Sequence, residues 1–366
     1  MSTRVFFRTP ALGALAMVAW LTATAAVSAG TRGGPVPIGI AALAHTAESG
    51  DEGTAKDLGL NFLHEKVSWD EPTPGDYRWN EFGVDDPFAK RLKALKEAHY
   101  TIALTLNVVD DDKKKLPRYL ADRPFNDPAL LNRWRAFLEG FLDRYGAHID
   151  FINVGYQVNK YFSKNSGQWK GFVAFVAAGH TVVRKKAAKV SVGVVLNDDD
   201  DPALYWRDVA PACTHFAMAY TAPASIIVTD PAANALNPNH GKFFGRTLEG
   251  ALKMAGRRPI LLLDVAFPTH ASVDSSPALQ SRFVMALFAW LRRAEARVGG
   301  LSYTGDKDWP YETTRDTLRN MLGEQILEYR GVIRYLTSCG LRYEDGRKKP
   351  AYEAFKQSLQ AYRKRR

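Results

Sequence analysis

The sequence has few of the features that mark specialised protein classes. It holds only two cysteines in 366 residues, Cys213 and Cys339, too few for a disulfide framework or a cysteine-based metal site. Whether these two pair with each other depends on a geometry that a sequence does not give. Internal repeats, linkers and low-complexity tracts are also missing, and 46% of the residues are hydrophobic. This composition excludes a disulfide-stabilised miniprotein and a disordered chain, and it predicts one folded domain.

Long apolar runs are nearly absent, and the one that is present lies at the amino terminus. The run ALGALAMVAWLTATAAV follows Arg4 and Arg8 and leads into the small residues of VSAG. This order predicts a cleaved signal peptide over residues 1–29, and the alternative is an uncleaved membrane anchor. No second run is long enough to span a bilayer. We therefore expect a mature chain of residues 30–366 that is secreted or periplasmic and has no membrane span after cleavage.

Motifs for cofactors and metals are missing as well. The segment GIAALAHTAESGDEG lacks the glycine spacing of a phosphate-binding loop. The aspartate runs at 110–112 and 198–201 lack the spacing of a calcium loop. The eight histidines show no paired ligand spacing. We therefore predict no cofactor and no metal.

The net charge is positive, which favours anionic surroundings such as acidic polysaccharide, the cell envelope or nucleic acid. The formal charge of +10 falls by two, to +8, when Arg4 and Arg8 leave with the signal peptide. The basic residues are mostly scattered and form no nucleic-acid-binding motif. We therefore expect no nucleic-acid partner.

Short apolar, β-rich runs alternate with longer helical patterns along the rest of the chain. We expect strands at 36–42, 60–67, 101–108, 150–154, 190–195, 215–220, 259–266 and 299–304. We expect helices at 127–146, with Asp127 as N-cap, and near 86–97, 168–187, 244–256, 277–297, 315–336 and from Pro350. This alternation predicts an α/β fold, a single (β/α)₈ TIM barrel. A doubly wound open sheet is the alternative, because the number of strands does not show closure.

In such a barrel the chemistry lies at the carboxyl ends of the strands. The sequence places aromatic rings, which stack on sugar faces, and amides, which bind sugar hydroxyls, at these ends. The candidate substrate-binding residues are Trp69, Asn107, Tyr156, Asn159, Tyr220, Tyr303 and Trp309. The irregular stretch at 221–242 is a candidate rim or lid.

Four segments together resemble the retaining (β/α)₈-barrel glycoside hydrolases, the superfamily of xylanases, β-galactosidases and cellulases. They are WDEPTPGDYRW, INVGYQVNKYF, ILLLDVAFPT and CGLRYEDGRKKPAYEAF, which begin at residues 69, 152, 260 and 339. The resemblance implies a glycan ligand and two catalytic glutamates. One, after the fourth strand, acts as acid/base, and the other, on the seventh strand, acts as nucleophile.

The catalytic positions depart from the pattern of that superfamily. The acid/base position holds Gln157, the nucleophile position holds Asp264, and the asparagine expected before the acid is Tyr156. An amide has no proton to give, and loss of a general acid costs about 10²–10⁴-fold in rate. The shorter Asp264 can misplace the attacking oxygen by about 1 Å, which can itself cost on the order of 10²-fold. The sequence thus predicts an exported pseudoenzyme that binds a polysaccharide or glycan with little or no hydrolysis.

Two other hypotheses remain open. The chain could be an active glycosidase that uses Asp264 as nucleophile with a non-standard acid, drawn from Glu65, Asp198, Asp199, Asp306 and Asp308. It could also be a structural or protein-binding barrel with no role in sugar recognition. Turnover of glycans separates the first hypothesis from the second, and direct glycan binding separates the first from the third.

Overall fold

The structure is a computed structural model, and it describes residues 35–40, 52–198, 201–221, 240–324, 327 and 330–364. These residues all lie in one compact unit, Gly34–Arg366. The predicted signal peptide, Asp199, and nearly all of the predicted lid at 221–242 lie outside the described residues. No helix in the part of the chain that is described is both long and apolar enough to cross a membrane.

The predicted strands are present in the order expected, and they run parallel. Their bounds are β1 Ile38–Ile40, β2 Phe62–Val67, β3 Thr101–Asp110, β4 Phe151–Tyr156, β5 Ser191–Gly193 with Val195–Asn197, β6 Phe216–Thr221, β7 Ile260–Ala266 and β8 Val298–Tyr303. A two-residue strand, Lys113–Lys114, folds back antiparallel on the end of β3.

Pairing between neighbours connects the strands into a barrel. One set has the order β2-β3-β4-β5, and the other has the order β5-β6-β7-β8-β1. The sets meet in β5, whose first half pairs with β4 and whose second half, after Val194, pairs with β6. At the remaining seam the Asn61 amide N–H donates to the Ile38 carbonyl over 2.9 Å, and the Ile38 N–H donates to Asn61 Oδ1 over 3.0 Å. These bonds join the two ends of the strand order, as a (β/α)₈ barrel requires and an open sheet does not.

Gly39 allows this seam to close. A Cβ at this position would lie 1.9 Å from the carbonyl oxygen of Phe62, far inside van der Waals contact. Only glycine lets the backbones of β1 and β2 approach so closely.

Helices follow the strands on the outside. Their bounds are α1 Glu52–Leu58, α2 Pro87–Glu97, α3 Pro128–Tyr145, α4 Val158–Lys164, α5 Trp169–Lys186, α6 Pro202–Val209, α7 His240–Ala255, α8 Pro277–Ala294, α9 Tyr311–Leu322, α10 Arg330–Leu336 and α11 Pro350–Arg363. The predicted start of α3 is confirmed, since Asp127 Oδ1 accepts from the Leu130 N–H over 3.0 Å.

The single helix predicted near 315–336 is wrong, because the structure has two helices there. The first of them, α9, is followed by Gly323, whose positive φ of 88° lies outside the helical region. A glycine in this conformation ends a helix at little cost.

Side chains alternate between the barrel interior and the layer under the helices. Phe62, on β2, packs in the interior with small and apolar side chains of the other strands, and His64 and Lys66 share its face. Leu63 belongs to the outer core, and Glu65 forms an ion pair with Arg91 of α2. This alternation decides which polar groups reach the barrel mouth.

The two cysteines are free and buried. The Cys213 carbonyl accepts from Arg258, which precedes β7, over 2.9 Å, whereas Cys339 packs against Ala266 at the other end of β7. A seven-residue strand separates its ends by roughly 20 Å, so the two thiols lie at opposite ends of the barrel. This distance excludes a disulfide between them.

Candidate functional site

Asp264 occupies a break in the regular pairing of β7. Between Leu262 and Val265 this strand has one residue more than β8 opposite, and the pairing with β6 shifts at the same place. Asp264 itself has a φ of 50°, in the left-handed region that non-glycine residues rarely adopt. Bulges of this kind redirect a side chain, and such backbone strain is concentrated at functional sites.

The carboxylate of Asp264 is held by two neighbours across the barrel. The Tyr156 hydroxyl donates to Oδ2 over 2.5 Å, and His64 Nδ1 lies 3.6 Å from Oδ1. The side chain of Asp264 is 15% exposed. One edge of the carboxylate therefore remains open to the mouth of the barrel.

This environment fixes the protonation states of Asp264 and Tyr156. Burial alone would raise the pKa of Asp264, but the hydrogen bond and charge of His64, the charge of Lys66 and the hydrogen bond from Tyr156 together lower it to about 2. Burial, together with the charge of Asp264, raises the pKa of Tyr156 well above its ordinary value. At neutral pH Asp264 is thus an anion and Tyr156 a protonated donor.

A buried polar chain orients His64. The Asn153 amide donates from Nδ2 to Thr105 Oγ1 over 3.2 Å, and His64 Nε2 lies 2.9 Å from the same oxygen. The Asn153 Oδ1 lies 2.8 Å from His215 Nε2, and burial lowers the pKa of His215 to about 3, so that this neutral ring donates. In the neutral ring with Thr105 donating to His64 Nε2, the ring proton lies on Nδ1. In the imidazolium, both ring nitrogens carry a proton, so Nδ1 has one there too. In both states an N–H faces Asp264.

A second polar group lies beside Tyr156. The Lys66 ammonium is 3.3 Å from the centroid of the Tyr156 ring and 3.6 Å from Asp110 Oδ1. Asn107 donates from Nδ2 to Asp110 Oδ2 over 2.9 Å. The Oδ1 atom of Asn107 is buried and has no hydrogen-bond partner among the described residues. A buried acceptor without a partner costs free energy until a donor reaches it.

Gln157 begins α4 in a left-handed conformation, with a φ of 48° and a ψ of 41°. Its Oε1 accepts from Asn197 Nδ2 over 3.1 Å, and its side chain also interacts with the Tyr156 hydroxyl. Asn159 fixes the end of β5, since it donates to the Asn197 carbonyl over 2.9 Å and accepts from the Asn197 N–H over 2.7 Å. The structure therefore brings Gln157 to the same cluster as Asp264 and assigns Asn159 a supporting position.

Three of the predicted aromatic platforms have no free face. Trp69 is 2% exposed, and its ring is covered by Trp134 and Phe137, with centroids 5.3 and 4.9 Å away. Tyr303 is fully buried, and its hydroxyl lies 3.2 Å from the donor Gln280 Nε2. Tyr220 is 1% exposed. A sugar ring has no access to these three rings.

Trp309 is the predicted aromatic platform that is open, with 47% of its surface exposed. It does not lie with Asp264, however. It lines a separate cavity together with Tyr311, Arg334 and Tyr343.

Three of the alternative acids are held in ion pairs. Glu65 pairs with Arg91 on the outer face of β2. Asp306 accepts from Arg342 Nε over 2.9 Å, and Asp308 lies 2.7 Å from the Lys349 ammonium. Burial raises the pKa of Asp308, and Lys349 opposes this rise.

His64 and Lys66 are site residues that the sequence prediction missed. Both belong to FLHEKV, in which apolar and polar residues do not alternate strictly. The signal that could have found them is the spacing of two, which places both on the interior face with Phe62.

No protein-family model and no curated protein matches the sequence. Solved structures do match the fold. The exo-β-1,4-mannosidase Op5Man5 from Opitutaceae bacterium strain TAV5 has a TM-score of 0.65 and 16% identity, over 90% of this chain and 60% of that one. The chain thus spans less than two thirds of Op5Man5.

Two further solved structures give the same picture. A GH5_18 protein from Streptomyces cattleya, solved with GlcNAc, has a TM-score of 0.64 and 15% identity, over 90% of this chain and 81% of that one. The β-glucuronidase of Bacteroides uniformis has a TM-score of 0.54 and 10% identity, over 84% of this chain and 32% of that one. The predicted resemblance to barrel glycoside hydrolases is confirmed at the level of the fold.

Proposed function

We propose that this chain is an exported glycan-binding barrel of glycoside-hydrolase ancestry with little or no hydrolytic activity. The observation that carries the proposal is that an anionic Asp264 shares its cluster with the amide of Gln157 instead of a carboxylic acid. Among the described residues, the groups that contact the Asp264 carboxylate are Tyr156 and His64. Neither supplies the second carboxyl of a retaining pair.

The same groups suit sugar hydroxyls. The open edge of Asp264 and the buried Oδ1 of Asn107 accept hydrogen bonds, whereas Lys66 and the amide of Gln157 donate them. Both kinds of partner are needed, because each hydroxyl donates one hydrogen bond and accepts others. Leaving Asn107 Oδ1 without a partner costs about 1–3 kcal/mol, a cost that a bound hydroxyl removes.

Calorimetric titration with neutral oligosaccharides of mannan, glucan, xylan and galactan tests the proposal. We expect one class to bind without release of reducing ends. Asn107→Ala should weaken that binding by roughly five- to thirtyfold, the loss of one buried hydrogen bond. The matched control is Asn132→Ala, which changes an exposed asparagine on α3 and should leave the affinity unchanged. No binding of any class, or equal affinity in Asn107→Ala, would contradict the proposal.

An active glycosidase is the second candidate, and the low pKa of Asp264 favours it, because a nucleophile must be ionised. Turnover of aryl glycosides that disappears in Asp264→Asn would establish this candidate in place of a pseudoenzyme. Turnover that survives the change would move the chemistry to other carboxylates.

The proposed location outside the cytoplasm rests on residues 1–29 alone. The intact mass of exported protein should correspond to a chain that begins at Gly30. A mass that retains residues 1–29 would contradict cleavage.

A further inference from the structure

A basic groove lies apart from the Asp264 cluster, between the segments that follow β7 and β8. Its deeper part is a cavity of about 630 Å³. The lining residues that matter are His270, Tyr311, Arg315, Arg319, Arg330 and Arg334. A shallower cavity of about 580 Å³ shares His270, Tyr311 and Arg334 and adds Trp309. We call the two together the basic groove. Asp264, Tyr156 and Gln157 line neither cavity.

Two of the four arginines are neutralised by acids on α9 or just after it. Arg315 forms an ion pair with Glu312 and lies 2.9 Å from Asp316. Arg319 lies 3.7 Å from Asp316 and 3.9 Å from Glu324. These two arginines line the deeper cavity but add little net charge to it.

Arg330 and Arg334 differ, because no carboxylate of the described residues lies within ion-pairing distance of either one. The guanidinium of Arg334 instead stacks over the Tyr311 ring, 3.8 Å from its centroid. Stacking fixes the plane of a guanidinium and leaves its N–H edge free to bind a carboxylate in a bidentate manner. Burial and the charge of Arg334 also lower the pKa of His270, as expected in electropositive surroundings.

The shallower cavity has a different chemistry. Trp309 is 47% exposed there. Three carboxylates line this cavity: Asp308 pairs with Lys349 and Asp345 with Arg347, whereas Glu344 has no ion pair with another described residue. One end of the groove thus presents two arginines that no described carboxylate pairs with, and the other end presents an aromatic face. A chain of sugar rings that carries carboxylates matches both ends.

We propose that the basic groove binds an acidic oligosaccharide, with a uronate carboxylate at Arg330 and Arg334 and a neighbouring sugar ring on Trp309. The sugar part of this inference rests on the proposed glycan function. The recognition of a carboxylate rests on the groove alone.

The test is calorimetric titration of the protein with tetramers of galacturonate, mannuronate and glucuronate, each beside its methyl-esterified form. At least one acidic tetramer should bind, and esterification should weaken it by about tenfold or more, because it removes the charge that the arginines recognise. The double change Arg330→Gln with Arg334→Gln should cause a similar loss, and Trp309→Ala should weaken binding by about fivefold or more. Arg292→Gln, on the exposed face of α8, is the matched control and should bind as the wild type does.

The thermal midpoint of each variant shows whether it folds, and Arg330→Lys with Arg334→Lys keeps the charge if the glutamine pair unfolds. This lysine pair should bind more weakly than the wild type, because lysine lacks the bidentate fork. The inference would be overturned if none of the three acidic tetramers bound. It would also be overturned if the folded variants of Arg330 and Arg334 bound as tightly as the wild type. A third result would also overturn it: the glutamine pair loses binding, Trp309→Ala binds as the wild type does, and the wild type binds inorganic polyphosphate as tightly as the acidic tetramer. These three outcomes together would indicate an anion site without sugar recognition.

These failures are distinguishable from failure of the proposed function. Neutral oligosaccharides that bind the wild type and respond to Asn107→Ala would leave the Asp264 cluster as a glycan site even if the basic groove bound nothing.

Discussion

The charge of Asp264 makes the free energy of unfolding depend on pH within a defined window. Its pKa is about 2 in the folded chain, against an ordinary value of 3.8. A difference of this size corresponds to roughly 2 kcal/mol of stabilisation. Because the folded pKa is the lower one, the stabilisation is complete above about pH 5. It is lost as the pH falls through about 4 towards 2.

Urea unfolding of the wild type and of Asp264→Asn at several pH values measures this contribution. The asparagine keeps the shape and one acceptor for Tyr156 but has no charge. We expect the difference in unfolding free energy between the two proteins to be constant between about pH 7 and 5. It should shrink by about 1 kcal/mol by pH 3, when half of the linkage is gone. Asp76→Asn, which changes an exposed aspartate after β2, is the matched control and should show no such window.

A third variant tests the assigned cause. Tyr156→Phe removes the 2.5 Å hydrogen bond to Asp264, so the folded pKa of Asp264 should rise towards its unfolded value. The pH-dependent stabilisation should then become smaller, and the lower limit of the window should move to higher pH, whereas the upper limit, set by the unfolded pKa, should stay in place. A difference between wild type and Asp264→Asn that stays constant down to pH 3 would refute the ionised, donor-stabilised carboxylate.

Three further predictions concern the site and the seam. Thr105→Val removes the hydroxyl that His64 Nε2 contacts, so it should destabilise the fold by about 1–3 kcal/mol. It should also change the ¹⁵N chemical shifts of the His64 ring, and unchanged shifts would argue against the assigned orientation of that ring. The double change Gln157→Glu with Asp264→Glu should raise hydrolysis of aryl glycosides above the wild-type background, since it restores a carboxylate pair; rates that stay at background would argue against a former catalytic site. Gly39→Ala places a methyl group against a backbone carbonyl at the seam and should lower the unfolding free energy by about 1–3 kcal/mol or more; a wild-type urea midpoint would show that the seam is looser than described.

The order of elements could be predicted because barrel strands are covered on both faces. The run PILLLDVA is apolar apart from Asp264, and β7 occupies it almost to the residue. Closure could not be predicted in this way. It depends on hydrogen bonds between Asn61 and Ile38, which an isolated pattern does not encode.

The candidate site could be predicted only in part, because the exposure of a side chain and the face of the strand on which it lies are set by the tertiary structure. Gln157 and Asp264 are predicted from the resemblance of their segments to the fourth- and seventh-strand motifs of barrel glycoside hydrolases. Trp69 also follows a strand end, but the rings of Trp134 and Phe137 bury it. His64 was missed although its neighbour Glu65 was considered, because one residue of register decides which of the two faces the interior.

The energetics of the Asp264 cluster favour a ligand-binding role over a purely structural one. A left-handed φ at a non-glycine residue costs about 1–3 kcal/mol, and both Gln157 and Asp264 adopt one. Desolvation opposes the charge of Asp264, and well-packed apolar residues in place of a buried charged group are often equally stable or more stable. A barrel that served only as a scaffold would gain nothing from a strained, anionic residue with an open edge. It would gain nothing either from a buried Asn107 oxygen without a partner among the described residues. A bound glycan would use both, since its hydroxyls would donate to the carboxylate and to the amide oxygen. This is why we place the structural-barrel hypothesis below the glycan-binding one.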